Sequence, residues 1–186
     1  MPIRHPILAA RDRKAQPWKN GGGVTREIAV HPPGADMDGF AWRISTAEVA
    51  SDGPFSRFEG VDRTLVILDG AGFELAVEGA APVRLTPASA PLFFPADAPA
   101  SARLLAGPVN DLNVMVRRGA WASRVERRKV AGEVRCTAEV CLVLALGRCA
   151  ADGASLEPGD AVRLEAGEAA VLDGPGEVIV VALSRL

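Results

Sequence analysis

Short apolar segments that alternate with polar residues recur along the whole chain, and glycine or proline separates one from the next. Phe73, Leu75 and Val77 alternate with Glu74, Ala76 and Glu78, as a strand with one face in a core requires. Across the turn Asp69-Gly70-Ala71-Gly72 this segment predicts a hairpin with residues 64–68. In residues 111–117, Leu112, Val114 and Val116 share one face, while Asp111, Asn113, Met115 and Arg117 share the other. An acid, an amide, a thioether and a guanidinium in one row point either to water or into a polar cavity. Turn residues at Gly21-Gly22-Gly23, Pro32-Pro33-Gly34, Asp52-Gly53-Pro54, Gly107-Pro108, Pro158-Gly159-Asp160 and Asp173-Gly174-Pro175-Gly176 punctuate the rest. This regular spacing predicts an all-β chain, with one short helix expected over residues 123–130.

The pattern repeats. From residue 141 an apolar run is followed by the Pro158-Gly159-Asp160 turn, a strand, a glycine-rich turn and the apolar residues 178–183. That order is similar to half of a cupin barrel, and a comparable order runs through residues 65–116. The expected organisation is therefore a bicupin: two cupin-like (double-stranded β-helix, jelly-roll) halves packed together in one chain. Residues 1–120 form the N-terminal half and carry the ligand site. Residues 121–186 form a smaller, structural C-terminal half.

Composition narrows the classes of function. The chain has 186 residues, 48% of them hydrophobic and 24% charged, and no apolar stretch approaches the roughly 20 residues that cross a bilayer. A net charge of -2 provides no general attraction to phosphate backbones, so neither nucleic acid nor membrane is an expected partner. The arginines between Arg117 and Arg135 read as a solvated face. The N-terminus shows no secretion-signal pattern, and a cytoplasmic protein is expected. Cys136, Cys141 and Cys149 form no Cys-x-x-Cys pair and read as buried free thiols.

The segment Trp18-Lys19-Asn20-Gly21-Gly22-Gly23-Val24-Thr25-Arg26-Glu27 is the most distinctive. Its three glycines permit positive φ or close approach of a ligand, and their amides could form an anion-binding concavity. The alternative is a glycine-rich bulge entering an edge strand. Thr25 and Glu27 share a face of the strand that follows, as do Arg43 and Ser45 in theirs. Arg43, Arg63 and Arg117 are each able to hold a carboxylate in a bidentate fork.

Taken together, Trp18-Lys-Asn-Gly-Gly-Gly-Val-Thr25, Trp42-Arg-Ile-Ser45, Gly53-Pro-Phe-Ser-Arg-Phe58, Gly60-Val-Asp-Arg63 and Asp111-Leu-Asn-Val-Met-Val-Arg-Arg118 resemble the HutD/Ves family over roughly residues 5 to 120. The resemblance implies a bicupin fold and an association with histidine utilisation. It implies no established reaction.

A common cupin metal site uses a His-x-His run, a glutamate and a later histidine, whereas this chain has two histidines, His5 and His31. Glu27 and His31 share a strand face, but four extended residues separate them by about 13 Å. No metal site and no cofactor are expected. The remaining polar set is Trp18, Asn20, Gly22, Thr25, Glu27, Arg43, Ser45, Arg63, Asp111, Asn113 and Arg117. It predicts metal-independent binding of a small polar carboxylated metabolite, with urocanate and N-formylglutamate as candidates and a sensing or regulatory role. The alternative is a metal-independent enzyme acting on a small carboxylic acid, with Glu27 as general acid or base. A third class is a protein-interaction module, and a homodimer is compatible with all three.

Overall fold

A computed structural model describes residues 5–18 and 21–186. Among these residues there is no α-helix, and the one helical turn is the 3-10 segment Ala10–Asp12. The chain divides into two compact units, Lys14–Trp121 and a second unit made of Met1–Arg13 with Ala122–Leu186. Residues 5–13 thus group with the C-terminal portion, where sequence reading had placed them in the N-terminal half. The reason is a strand pairing: Ile7 and Leu8 lie opposite Val162 and Ala161.

In the unit Lys14–Trp121, a six-stranded sheet runs in the order Ala15–Pro17, Gly23–His31, Trp42–Val49, Val109–Arg117, Val61–Asp69, Leu92–Pro95. A four-stranded sheet runs Gly53–Pro54, Ala100–Leu104, Phe73–Val77, Val83–Leu85. Leu65, Ile67 and Phe94 from the first sheet and Phe73, Leu75 and Ala102 from the second form one buried cluster. This overturns the expected hairpin. Val61–Asp69 pairs with Val109–Arg117 and Leu92–Pro95, while Phe73–Val77 pairs with Ala100–Leu104 and Val83–Leu85. The physical cause is the intervening turn. Gly70 and Gly72 have φ of 94° and 92°, and the turn carries the chain from one sheet to the other. The two apolar faces therefore meet across the core rather than side by side.

In the other unit, a five-stranded sheet runs Ile7–Leu8, Ala161–Glu165, Val140–Ala145, Glu177–Arg185, Trp121–Lys129, and a four-stranded sheet runs Gly132–Arg135, Ala169–Asp173, Cys149–Ala151, Ala154–Leu156. Its core includes Val143, Leu156, Leu164, Ala170, Val178 and the three cysteines, all free and buried. The helix expected over residues 123–130 is instead part of the strand Trp121–Lys129. Hydrogen bonding along the edge of the five-stranded sheet decides its conformation, and local propensity is too weak to oppose that.

Candidate functional site

The inner face of the six-stranded sheet is set by register. Arg43, Met115 and Arg63 are directly opposed across three neighbouring strands, Ser45 faces Asn113, and Ala47 faces Asp111. Strand spacing of about 4.8 Å puts the two arginine backbones roughly 10 Å apart, with the methionine between them. On the next strand Thr25 is opposite Ala47 and Glu27 is opposite Ser45. Alternation thus aims one polar grid inward.

That grid is one wall of a cavity of about 650 Å³. Thr25, Arg43, Ser45, Arg63, Asp111, Asn113 and Met115 line it from the sheet, and Gln16, Pro17 and Trp18 line it from the first hairpin. Pro54, Phe55, Phe58 and Met37 add apolar lining, together with Ser56. The glycine-rich turn shapes this side. Gly21 has φ of 71°, and a Cβ on Gly23 would meet both the Glu48 carbonyl and the Trp18 ring, so only glycine lets the indole pack there. Trp18 Nε1 then donates to Thr25 Oγ1 at 2.8 Å.

Charge inside the cavity is unusual. Arg63 is 5% exposed and its guanidinium carbon lies 5.4 to 5.7 Å from the ring centres of Phe55, Phe58 and Phe94. Its Nη2 donates to the Ser56 carbonyl at 3.1 Å, and its Nε is buried without a hydrogen-bond partner among the described residues. Burial pulls this guanidinium down to about 10, partly opposed by attraction to Asp111, so it remains charged at neutral pH. Asp111, 1% exposed, accepts from Asn113 Nδ2 at 2.6 Å. Burial pushes its carboxyl up to about 7, against the opposing pull of Arg63 and of the Asn113 hydrogen bond. Arg43, also buried, donates through Nε to Glu27 Oε2 at 2.9 Å and through Nη1 to Ser45 Oγ at 3.4 Å. The result is two buried cations, one of which has a carboxylate in direct contact.

Of the residues singled out in the sequence, Trp18, Thr25, Arg43, Ser45, Arg63, Asp111 and Asn113 meet at the cavity. Asn20 lies outside the described residues. Gly22 does not line the cavity, and its carbonyl accepts from the Ala50 amide. Glu27, the candidate acid or base, reaches the site through Arg43. Arg117 points elsewhere. It donates to the carbonyls of Glu59, Asp38 and Phe40 at 2.8 to 3.2 Å and stacks over the Phe40 ring, tying down the loop that carries Met37. Its backbone alternation was right, but the strand ends there and the side chain caps a loop.

A bulge between Glu27 and Ala29 corrects another expectation. The extra residue flips the strand, so His31 lies opposite Trp42 and stacks on it at 5.7 Å, away from the face of Glu27. Among the described residues, no group of three or more His, Cys, Asp or Glu is placed to hold a metal ion. Sequence reading missed Gln16, Met37, Phe55, Ser56, Phe58 and Met115 as lining residues. The 53–58 segment was visible as a motif, but nothing local showed that it closes over the sheet.

The family model described as HutD matches residues 10–182. An uncharacterised 21.2 kDa protein of the hutC 3′ region in Pseudomonas putida is 37% identical over 120 residues, covering 64% of this chain and 62% of that protein. Protein Ves of Citrobacter koseri is 40% identical over 110 residues, covering 58% and 56% respectively. The chain thus spans about six-tenths of the length of these relatives. Among solved structures, HutD from Pseudomonas fluorescens SBW25 (formate condition) superposes with a TM-score of 0.85 at 29% identity, covering 97% of this chain and 98% of that one. A conserved protein of unknown function from Pseudomonas aeruginosa PAO1 also gives 0.85, at 31% identity over 98% and 100%. YhhW from Escherichia coli, with a TM-score of 0.68 and 10% identity over 95% of this chain and 96% of its own, shares the fold alone.

Proposed function

Because this chain belongs to the HutD family, which is tied to histidine utilisation, we propose that residues 14–121 capture a small carboxylated metabolite and report its level to that pathway. The observation that carries this reading is Arg63. A guanidinium buried among three phenylalanine rings, with no carboxylate within 4 Å among the described residues, is a cation prepared for an anion that arrives from outside. Arg43, held by Glu27, offers a second anchor. Trp18, Thr25, Ser45 and Asn113 supply the hydrogen bonds that would orient the rest of the ligand, and Met115, Phe55 and Phe58 exclude water. Nothing in this binding mode requires a metal ion. A cytoplasmic setting belongs to the same reading, since all three thiols are free and buried.

Urocanate and N-formyl-L-glutamate, the candidate ligands, are to be titrated into the protein by calorimetry. Saturable binding that Arg63→Met removes supports the reading, and absence of binding for both refutes it.

A second reading, acid–base catalysis on such an acid, is favoured by one feature only. Asp111 is a buried carboxyl that lines the cavity and is pushed up to about 7 by burial, whereas Glu27 is not among the cavity's lining residues. Turnover of bound ligand that Asp111→Asn abolishes would select it.

A further inference from the structure

We propose that the cavity takes up its anionic ligand together with one proton, and that Asp111 is the group that receives this proton. The proposal rests on the binding reading above and adds a regulation to it: the pocket holds its ligand more tightly as pH falls.

The argument is one of buried charge. Asp111 and Arg63 both line the cavity and both are about nineteen-twentieths buried or more, yet no ion pair within 4 Å joins them. They attract each other without contact, and both face the cavity. If a carboxylate entered beside Arg63 while Asp111 stayed ionised, two carboxylates would share one buried cation. Like charges in such a site force one of them to hold a proton. If Asp111 accepts a proton from solvent as the anion enters, that proton offsets the one ligand carboxylate that seats beside Arg63. Burial penalises any other outcome, because an added charge in a dry site has no water to stabilise it.

The local chemistry supports this assignment. The amide of Asn113 donates to Asp111 Oδ1, leaving the proton for Oδ2, and a protonated Oδ2 is a donor for a ligand oxygen. Among the described residues, no other group lining the site is suited to the role. The neighbouring strands present the guanidinium groups of Arg63 and Arg43, and Glu27, which is one-third exposed and paired with Arg43. Gln16 and Trp18 of the first hairpin and Pro54, Phe55, Ser56 and Phe58 of the opposite wall do not titrate in this range. His31 stacks on Trp42 outside the cavity, and His5 lies in the other unit. Burial already pushes the Asp111 carboxyl up to about 7, so the uptake falls in the physiological range.

The test uses N-formyl-L-glutamate, whose carboxylates stay ionised from pH 6 to 8.5. Its binding heat is measured on the full chain at pH 7.5 in phosphate and in Tris, and its Kd from pH 6 to 8.5. A heat that differs between the buffers in proportion to their ionisation enthalpies, together with a Kd that rises about 15-fold from pH 7 to 8.5, is expected. Asp111→Asn, which keeps an acceptor for Asn113, should remove both the buffer difference and the pH dependence. Binding that is saturable but identical in the two buffers overturns the proton uptake while leaving the binding reading intact. A pH dependence that persists in Asp111→Asn overturns the assignment to Asp111. If the variant fails to fold, the wild-type buffer comparison decides. No saturable heat at any pH refutes the binding reading and this inference with it.

Discussion

Asp111→Asn should change how stability depends on pH even with no ligand present. In the folded protein burial raises this carboxyl from 3.8 to about 7, while in the unfolded chain it titrates near its ordinary value of about 3.9. The folded state therefore holds the proton more tightly. Its contribution to stability is complete below about pH 4 and is lost as pH rises through about 7. At about 1.36 kcal/mol per pH unit the whole effect is of order 4 kcal/mol, and about 2.5 kcal/mol of it falls between pH 5 and 8.5. Asparagine has the same shape and carries no charge to bury, so the variant should gain on the wild type by that amount across the interval. Urea denaturation reads the difference. All three tryptophans, Trp18, Trp42 and Trp121, lie in the unit Lys14–Trp121, so their fluorescence follows the unit that contains Asp111. For a slope near 2 kcal/mol/M, the midpoint gap should widen by about 1 M from pH 5 to 8.5. An unchanged gap would show that Asp111 ionises as freely in the fold as in water, and the account of its burial would be wrong.

Arg63→Met should weaken carboxylate binding at least about 100-fold in calorimetry while leaving the urea midpoint equal or higher, because a buried cation without a contacting carboxylate costs stability. A large loss of stability would show instead that the guanidinium holds the phenylalanines together. Arg117→Ala removes donors to three carbonyls and should cost about 1 to 2 kcal/mol, with faster amide exchange over residues 36–40 as its local signature. Asp97 is held near 2 chiefly by its hydrogen bonds to Arg118, so its contribution is present above about pH 4 and disappears as pH falls through about 2. Asp97→Asn should therefore flatten the acid limb of the stability curve between those values, as measured by urea midpoints. The three thiols should stay unreactive toward Ellman's reagent until urea unfolds the chain, since all are buried and burial pushes Cys141 up to about 12. Fast labelling of the native protein would contradict that burial.

Much of the site was legible because strands alternate. Once residues 111–117 were read as a strand, Asp111, Asn113 and Met115 had to share a face, and the same holds for Arg43 with Ser45. What failed were relations that alternation does not carry. The residue Ile28 interrupts the alternation after Glu27, and only the pairing with Trp42–Val49 reveals that the strand bulges there and turns His31 to the other side. Arg117 continues the correct face but meets loop carbonyls beyond the sheet. Residues 64–77 have the local form of a hairpin, yet the strands flanking that turn belong to different sheets.

The sequence by itself determined the all-β class, the identity of most polar residues on the inner face, and the lack of a His-x-His run, because each follows from a period of two or from which residue types are present. Only the tertiary structure decided which of three candidate arginines is buried without a contacting carboxylate, which buried carboxyl is pushed up towards neutrality, and which segment closes the cavity. Those properties depend on desolvation and on neighbours distant in the chain. Arg63 gains its three aromatic rings from residues 55, 58 and 94, and Asp111 owes its raised proton affinity to surroundings contributed by several strands.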